Sequence, residues 1–232
     1  MQEKCGVVGI SLSDRNAARP LYYALYALQH RGQESAGIVT HDGFQQYEHV
    51  EMGLVGDAFD GPAIESLNGS NGIGHVRYPT EGGVNECCAQ PFSVSFKSGS
   101  LGLAHNGNLV NADAVRDDLA GLGHAFTSAG DTEVIAHDLA RNLLEADLVR
   151  AVKATMERIH GSYSLTIMHD ETVLGLRHPP GNRPPCPGPV EARYVLTSAS
   201  ASIHALGGYL LRDVRRGEPG ACRHSRSHHG SP

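Results

Sequence analysis

The chain has 232 residues, 40% of them hydrophobic, which is enough to bury the core of one domain or of two small ones. It has no apolar run of about 18 residues and no charged-then-apolar leader, which argues against a membrane span and a signal peptide. Its five cysteines, an odd number without repeating spacing, do not form a disulfide pattern, so we expect a cytoplasmic protein.

The formal net charge of −6 is unevenly distributed along the chain. Residues 177–232 contain eight Arg, no Lys and three acidic residues, whereas residues 1–176 contain 11 basic and 22 acidic side chains. The acidic body argues against nucleic acid binding, because phosphate groups require cations. Six of the 12 prolines lie at 179–189, so the composition changes at the same place as the charge.

The first half of the chain is predicted to be mainly strands. Residues 5–10 form an apolar run with Cys5 at its tip, typical of a buried strand. Leu21, Leu25 and Leu28 predict a helix over about 18–30, which Gly32 ends. Further strands are predicted at 36–40, 73–76 and 100–104, with a hairpin turn at 41–43 leading into 44–47.

Three helices and then more strands are predicted in the second half. Asn111 is expected to cap a helix reaching about Leu122, and Asp131 to open a second helix. The helical stripes are Ile135, Leu139 and Leu143 in the second helix and Leu148, Val152, Met156 and Ile159 in the third. Strands are predicted at 163–167, 172–176 and 194–196, so the fold class is α+β, with helices on antiparallel sheets.

Cys5 is the first candidate functional residue. Free cysteine is often simply a small buried residue, and its position alone does not separate this reading from a catalytic one. Removal of residues 1–4 would leave Cys5 with a free α-amino group, which could act as general base for its own thiol.

Three further segments carry candidate groups, each with a simpler alternative. Arg77 ends a strand before a Pro-containing turn and could clamp a carboxylate, or form an ordinary surface ion pair. Asn106 and Gly107 indicate a tight turn, but could also supply a side-chain amide and a backbone N–H to an oxyanion. Asp131 could cap its helix or hold an ammonium group. Together with a thiol, these groups suit attack on the amide of an α-amino acid, most obviously glutamine.

Six motifs in this order resemble the class II glutamine amidotransferases of the N-terminal nucleophile type. They are CGVVG (5–9), LQHRGQESAGI (28–38), GHVRY (74–78), AQP (89–91), AHNGNL (104–109) and DTEV (131–134). Within the family the QHRGQ loop and Arg77-Tyr78 are most similar to the amidophosphoribosyltransferases, which open purine synthesis. The related glucosamine-6-phosphate synthases typically have YRGY and RW at these places, and this chain has no Trp.

The resemblance implies a four-layer αββα sandwich and a role for each matched residue. Cys5, freed as the first residue, would attack the glutamine side-chain amide and form a thioester. The Asn106 side chain and the Gly107 N–H would stabilise the oxyanion. Arg77 would hold the substrate carboxylate and Asp131 its ammonium group, with Arg31 in a supporting loop. The implied products are glutamate and ammonia.

The resemblance also divides the chain. We expect a leader at 1–4 that is removed, a glutaminase domain at 5–218 that departs from the family pattern from about 178, and a disordered tail at 219–232. The phosphoribosyltransferase domain that follows in the family is not found, which suggests a truncated or frame-disrupted copy. Mg²⁺ is expected only with that domain, and this chain is expected to bind no metal, iron–sulfur cluster or other cofactor.

Glutamine is the expected ligand, and phosphoribosylpyrophosphate only if the second domain is supplied. No nucleic acid or membrane partner is expected, and a homo-oligomer is compatible with the resemblance. Two alternatives remain at this point. One is a free-standing glutaminase that serves a separate synthase. The other is a non-catalytic remnant, which the Pro-rich stretch would favour if the strands at 172–177 and 194–198 belong to the core, because proline in a central strand removes ladder bonds.

Overall fold

A computed structural model describes residues 5–12, 15–78, 88–177, 186–190, 193–211 and 219–222. Two antiparallel sheets form its centre. The first has the order β3-β2-β4-β1-β10-β9 and the second β11-β8-β7-β6-β5. The strands are β1 (Gly6–Ser11), β2 (Ser35–His41), β3 (Gln46–Met52), β4 (Asn71–Arg77), β5 (Phe92–Phe96), β6 (Gly99–Leu109), β7 (Gly161–His169), β8 (Thr172–Arg177), β9 (Cys186–Val190), β10 (Arg193–Thr197) and β11 (Pro219–Cys222).

Helices cover the outer face of each sheet. They are α1 (Ala18–Leu28), α2 (Val55–Ala58), α3 (Gly61–Ser66), α4 (Ala112–Gly121), α5 (Asp131–Leu143), α6 (Leu148–Arg158) and α7 (Ser200–Ala205), with a short 3₁₀ turn at Gln29–Arg31. Helix α1 packs on β1, β2 and β4, and α7 packs on α1. Helix α5 packs on β5 and β6 and is flanked by α4 and α6.

Three apolar layers hold these elements together. Leu21, Leu25 and Leu28 of α1 pack on the first sheet, as their spacing predicts. Ile135 and Leu139 of α5 pack on the second sheet. Between the two sheets lies a third cluster, made by Val7, Val39, Ile73, Ala104, Met168, Val173 and Leu196. The order helix, sheet, sheet, helix confirms the predicted αββα sandwich.

The described prolines of the Pro-rich segment lie at the edge of the first sheet. Pro187 and Pro189 belong to β9, the outermost strand beside β10. An edge strand tolerates proline because it has a partner on one side only. Strands β8 and β10 contain no proline. Both strands belong to the core, as the remnant alternative requires, but the described prolines lie beside them in the edge strand and interrupt neither. Residues 178–185 lie outside the described residues.

Strand β6 is longer than predicted. It pairs with β7 without a break from Leu101 to Leu109, so Asn106 and Gly107 lie within a strand and the tight-turn interpretation is wrong. Glycine after asparagine is a turn signal, but Gly107 takes a φ of +147° in extended backbone and its neighbours keep the ladder. The strand carries these two residues past the end of β5, whose pairing stops at Leu103.

Two helix caps and the tail also differ from expectation. Asn111 stands at the start of α4, but its side chain donates to the Arg158 carbonyl and accepts from the His160 N–H instead. Gly130 takes the cap position of α5, so Asp131 is its first residue. Residues 219–222, placed in the disordered tail, pair with β8 as an edge strand, because β8 otherwise leaves backbone groups unpaired on that side.

No helix in the described ranges is long and apolar enough to cross a membrane. Within the same ranges, no three His, Cys, Asp or Glu side chains come together as a metal ion would require.

Candidate active site

Cys5 lies where the two sheets face each other, at the open end of β1. Val7, two residues on, belongs to the cluster between the sheets, and side chains alternate along a strand, so Cys5 is directed to the same inner face. Strand β1 is central, between β4 and β10, and its pairing with β4 begins at Gly6. The fold therefore holds the backbone next to Cys5 on both sides.

Two side chains from separate parts of the chain converge on the Cys5 backbone. The Arg31 Nε and the Asn106 Nδ2 each donate to the Cys5 carbonyl oxygen, both at 2.9 Å. Both side chains are buried. An amide nitrogen carries two hydrogens, so Asn106 can hold Cys5 with one and still offer the other to a second acceptor.

The Cys5 thiol is held in its protonated form. Burial raises the pKa of this thiol, and this outweighs the opposing effects of the Tyr78 N–H and of the charges on Arg77 and Arg31. The Tyr78 N–H donates to Sγ at 3.4 Å. A thiol of raised pKa is a weak nucleophile at neutral pH and needs a base close to it.

Arg77 is buried at the end of β4 and forms an ion pair with Glu34 through Nη1. The alternative of a surface ion pair is therefore wrong, because the side chains of both partners are buried. A guanidinium has five N–H donors, so one contact to Glu34 leaves others that can face a ligand carboxylate. The second carboxylate oxygen of Glu34, Oε1, is buried and has no hydrogen-bond partner in the described part of the chain.

The free edge of β6 beyond Leu103 gives the site its hydrogen-bond donors. In an antiparallel strand the N–H groups of alternate residues point to the same edge. The N–H of His105 donates to Gln90 Oε1 and that of Leu109 to Asp131 Oδ2, each at 2.7 Å. The N–H of Gly107 lies between them in sequence, so the register directs it to the same edge, away from β7. The Gly107 N–H follows the Asn106 side-chain amide directly in sequence, and two such donors are what an oxyanion requires.

Asp131 lies at the far end of this edge, half-buried at the start of α5. It accepts from strand β6 and does not cap its own helix, so the capping interpretation is wrong. Burial raises the pKa of its carboxyl, and the Leu109 N–H and the Arg116 charge only partly oppose this. A cationic ligand would favour the ionised form.

The six residues selected from the sequence lie around two neighbouring features, the Cys5 tip of β1 and the free edge of β6. Arg31, Arg77 and Asn106 surround Cys5 itself. Asp131 joins them through β6 and makes no described contact with Cys5. No role was predicted for Glu34, His75 or Gln90, although each lies in one of the six sequence motifs. A signal was present for Glu34, because an Arg directed inwards requires a buried partner.

Comparisons with known proteins agree with this geometry. Residues 83–205 match the family described as "Glutamine amidotransferase domain". The chain is 43% identical to the amidophosphoribosyltransferase of Methanocaldococcus jannaschii over 92% of its own length and 46% of that protein. It is 45% identical to the Archaeoglobus fulgidus amidophosphoribosyltransferase, again over 92% of this chain and 47% of that protein.

A solved structure shows the same fold. The glutamine phosphoribosylpyrophosphate amidotransferase from Bacillus subtilis, complexed with ADP and GMP, superposes with a TM-score of 0.84 at 35% identity. The superposition covers 94% of this chain and 47% of that one, so the chain spans about half the length of the relatives it matches. By its sequence, fold and family match, this chain belongs to the glutamine amidotransferase domain family, with the N-terminal nucleophile fold.

Proposed function

We propose that this chain is the glutamine-hydrolysing domain of an amidophosphoribosyltransferase, with Cys5 as its nucleophile. The observation that carries the proposal is the convergence of Arg31 and Asn106 on the Cys5 carbonyl. It joins the nucleophile strand to the strand that supplies the oxyanion donors. The identity to two amidophosphoribosyltransferases over most of the chain supports the same conclusion.

The proposed reaction begins with removal of residues 1–4, which gives Cys5 a free α-amine. This amine takes the thiol proton, which the raised pKa of Cys5 otherwise retains. The sulfur then bonds to the glutamine carboxamide carbon, and the negative charge develops on its oxygen, next to Asn106 Nδ2 and the Gly107 N–H. The amine returns the proton to the departing nitrogen, and ammonia leaves. Water then hydrolyses the γ-glutamyl thioester to glutamate and regenerates the thiol.

Substrate recognition in this proposal uses the two charged residues that flank the site. Arg77 binds the α-carboxylate of glutamine through guanidinium nitrogens not engaged by Glu34. Asp131 binds the α-ammonium group. Arg31 supports the site through its bond to the Cys5 carbonyl. Opposite charges at the two ends of the site would select a zwitterionic amino acid over a simple amide.

The ammonia is proposed to serve a second reaction, transfer to phosphoribosylpyrophosphate to give phosphoribosylamine, the first committed step of purine synthesis. The relatives that suggest it are about twice as long as this chain. The acceptor site, with its Mg²⁺, is therefore proposed to belong to a second domain, and assembly into a homo-oligomer remains a prediction. The reaction is proposed to take place in the cytoplasm.

The proposal is tested by intact mass spectrometry of the full chain after incubation with a diazo-ketone analogue of glutamine. We expect a mass lacking residues 1–4 plus one adduct, and no adduct in Cys5→Ala. Cys88, the other described free cysteine, provides the matched control, since Cys88→Ala should still form the adduct. A full-length mass without an adduct, or an adduct that persists in Cys5→Ala, would contradict the proposal.

A further inference from the structure

A buried histidine, His75, connects the two sheets behind Cys5. It lies in β4, fully buried, with Val7 of the nucleophile strand directly opposite it in the ladder. Its ring Nε2 is 3.2 Å from the backbone carbonyl oxygen of His105 in β6. The bond therefore runs from the strand beside the nucleophile to the residue immediately before Asn106.

The protonation of His75 follows from this contact. A carbonyl oxygen can only accept, so Nε2 carries the hydrogen and Nδ1 is left with its lone pair. Burial lowers the pKa of His75 to about 3, so the ring is neutral near pH 7. His75 is thus a fixed neutral donor and not a proton carrier.

His75 and Gln90 together replace the strand partner that β6 lacks at this point. Both backbone groups of His105 point to the free edge of β6, since the N–H and C=O of one residue share an edge. Gln90 Oε1 accepts from the N–H, and His75 donates to the carbonyl. Without its donor, the His105 carbonyl would lose one of the bonds that join β6 to the first sheet, directly before the two proposed oxyanion donors.

The second ring nitrogen of His75 indicates that packing alone does not explain this residue. Nδ1 is buried without a hydrogen-bond partner among the described residues, which carries a desolvation cost. Ile73, two residues earlier on the same face of β4, fills its part of the same layer with an apolar side chain at no such cost. A residue selected only for packing would be expected to resemble Ile73.

We propose that His75 is a positioning residue for glutamine hydrolysis. Its hydrogen bond to the His105 carbonyl fixes the position of Asn106 and Gly107 relative to Cys5. The inference rests on the proposed function. It assigns His75 no contact with the substrate. Its loss should therefore weaken stabilisation of the transition state and leave binding of glutamine, through Arg77 and Asp131, nearly unchanged.

The test compares His75→Leu, which removes the donor, with His75→Gln, whose side-chain amide can reach about as far as Nε2. In the full chain we expect His75→Leu to lower kcat for glutamine hydrolysis about 10- to 100-fold with KM within about twofold. His75→Gln should recover most of kcat. The alkylation rate of Cys5 by iodoacetamide, measured by peptide mass, should stay within about twofold in both variants, because direct displacement at carbon forms no oxyanion.

Three results would overturn the inference. The first is a kcat in His75→Leu within about twofold of wild type. The second is an equal loss in His75→Leu and His75→Gln, which would indicate general disruption. The third is a loss of alkylation parallel to kcat, which would show that the Cys5 strand itself has moved. A wild-type chain that does not hydrolyse glutamine would instead refute the proposed function, and this inference with it.

Discussion

At each end of strand β6 a backbone N–H donates to an aspartate side chain, but the surroundings of the two contacts differ. At one end the Leu109 N–H donates to Asp131, and at the other the Ser100 N–H donates to Asp170, at 2.7 and 3.2 Å. Around the first end, Arg31, Asn106 and Arg77 are buried and bonded within the protein. The second end opens into a cavity of about 490 Å³ with a polar lining, and the Asp170 side chain is 46% exposed.

A backbone N–H that donates to an aspartate therefore does not by itself identify a functional site. Asp170 accepts from Ser100 close to solvent, where a water molecule could replace either partner. At the Cys5 end the Arg31, Arg77 and Asn106 side chains are buried, so water competes less for their hydrogen bonds. Fixed donors beside the nucleophile are what stabilisation of an oxyanion requires. A change at the Cys5 end should therefore have a larger effect than a similar change at the Asp170 end.

The largest effect is expected at Asn106. Asn106→Ala removes the proposed side-chain oxyanion donor, so kcat for glutamine hydrolysis should fall about 100- to 1000-fold. Ser100→Ala, at the opposite end of the same strand, should leave kcat within about twofold. Steady-state kinetics of both variants measures the difference. A kcat for Asn106→Ala within about threefold of wild type would remove Asn106 from the oxyanion site.

Part of this site could be predicted from the sequence, because periodicity determines the inner faces of the strands. The apolar run in β1 predicts a buried strand with Cys5 at its tip, and the leucine spacing in α1 predicts a helix packed by one face, as the structure has it. The local signals at Asn106 and Gly107 predicted the wrong strand end, and Asp131 begins its helix as expected but does not cap it, because turn and cap propensities describe neighbours in sequence. Here the deciding contacts join β6 to β7 and to α5, which are distant in the chain.

The sequence also did not predict the partners of buried polar groups. Arg77 was identified as a clamp without its partner Glu34, and His75 was not identified at all. Both contacts depend on how the two sheets or the strand ends meet. No spacing rule within a single element encodes that arrangement.

An intermediate effect is expected from adding one methyl group at either end of β6. A Cβ on Gly107 would lie 2.1 Å from the Ser162 carbonyl oxygen, whereas one on Gly99 would meet the Asp170 side chain at 2.7 Å. Both glycines have positive φ, at +147° and +143°, so backbone strain is shared and cancels in the comparison.

The Ser162 carbonyl belongs to the β7 backbone and cannot move without breaking the ladder, but the exposed Asp170 side chain can rotate away. Gly107→Ala should therefore lower the free energy of unfolding by about 1–3 kcal/mol more than Gly99→Ala. Chemical denaturation of both variants provides the measurement. Equal losses would mean that the Cys5 end of β6 is no more constrained than the Asp170 end.

The smallest effect concerns the two aspartates themselves. Asp131→Asn keeps an oxygen that can accept from Leu109 but removes the charge proposed to bind the glutamine ammonium group. KM for glutamine should rise about 10-fold, the loss of one charge-assisted hydrogen bond. Asp170→Asn should leave KM unchanged. A similar KM in both variants would argue that Asp131 serves only to hold the start of α5 on β6.

The pH dependence of KM for glutamine distinguishes a substrate-binding role of Asp131 from a structural one, because burial raises the pKa of Asp131. As the pH falls through this raised pKa, Asp131 takes up a proton, so KM for glutamine should rise in wild type at a pH above the ordinary aspartate pKa of about 3.9. In Asp131→Asn this rise should be absent. Ionisation of Asp131 has the opposite effect on folding stability. The folded chain binds this proton more tightly than the unfolded chain, so the ionised carboxylate lowers the free energy of unfolding above its folded pKa. Asp131→Asn should therefore melt no lower than wild type at pH 7, a result that a purely structural carboxylate would not give.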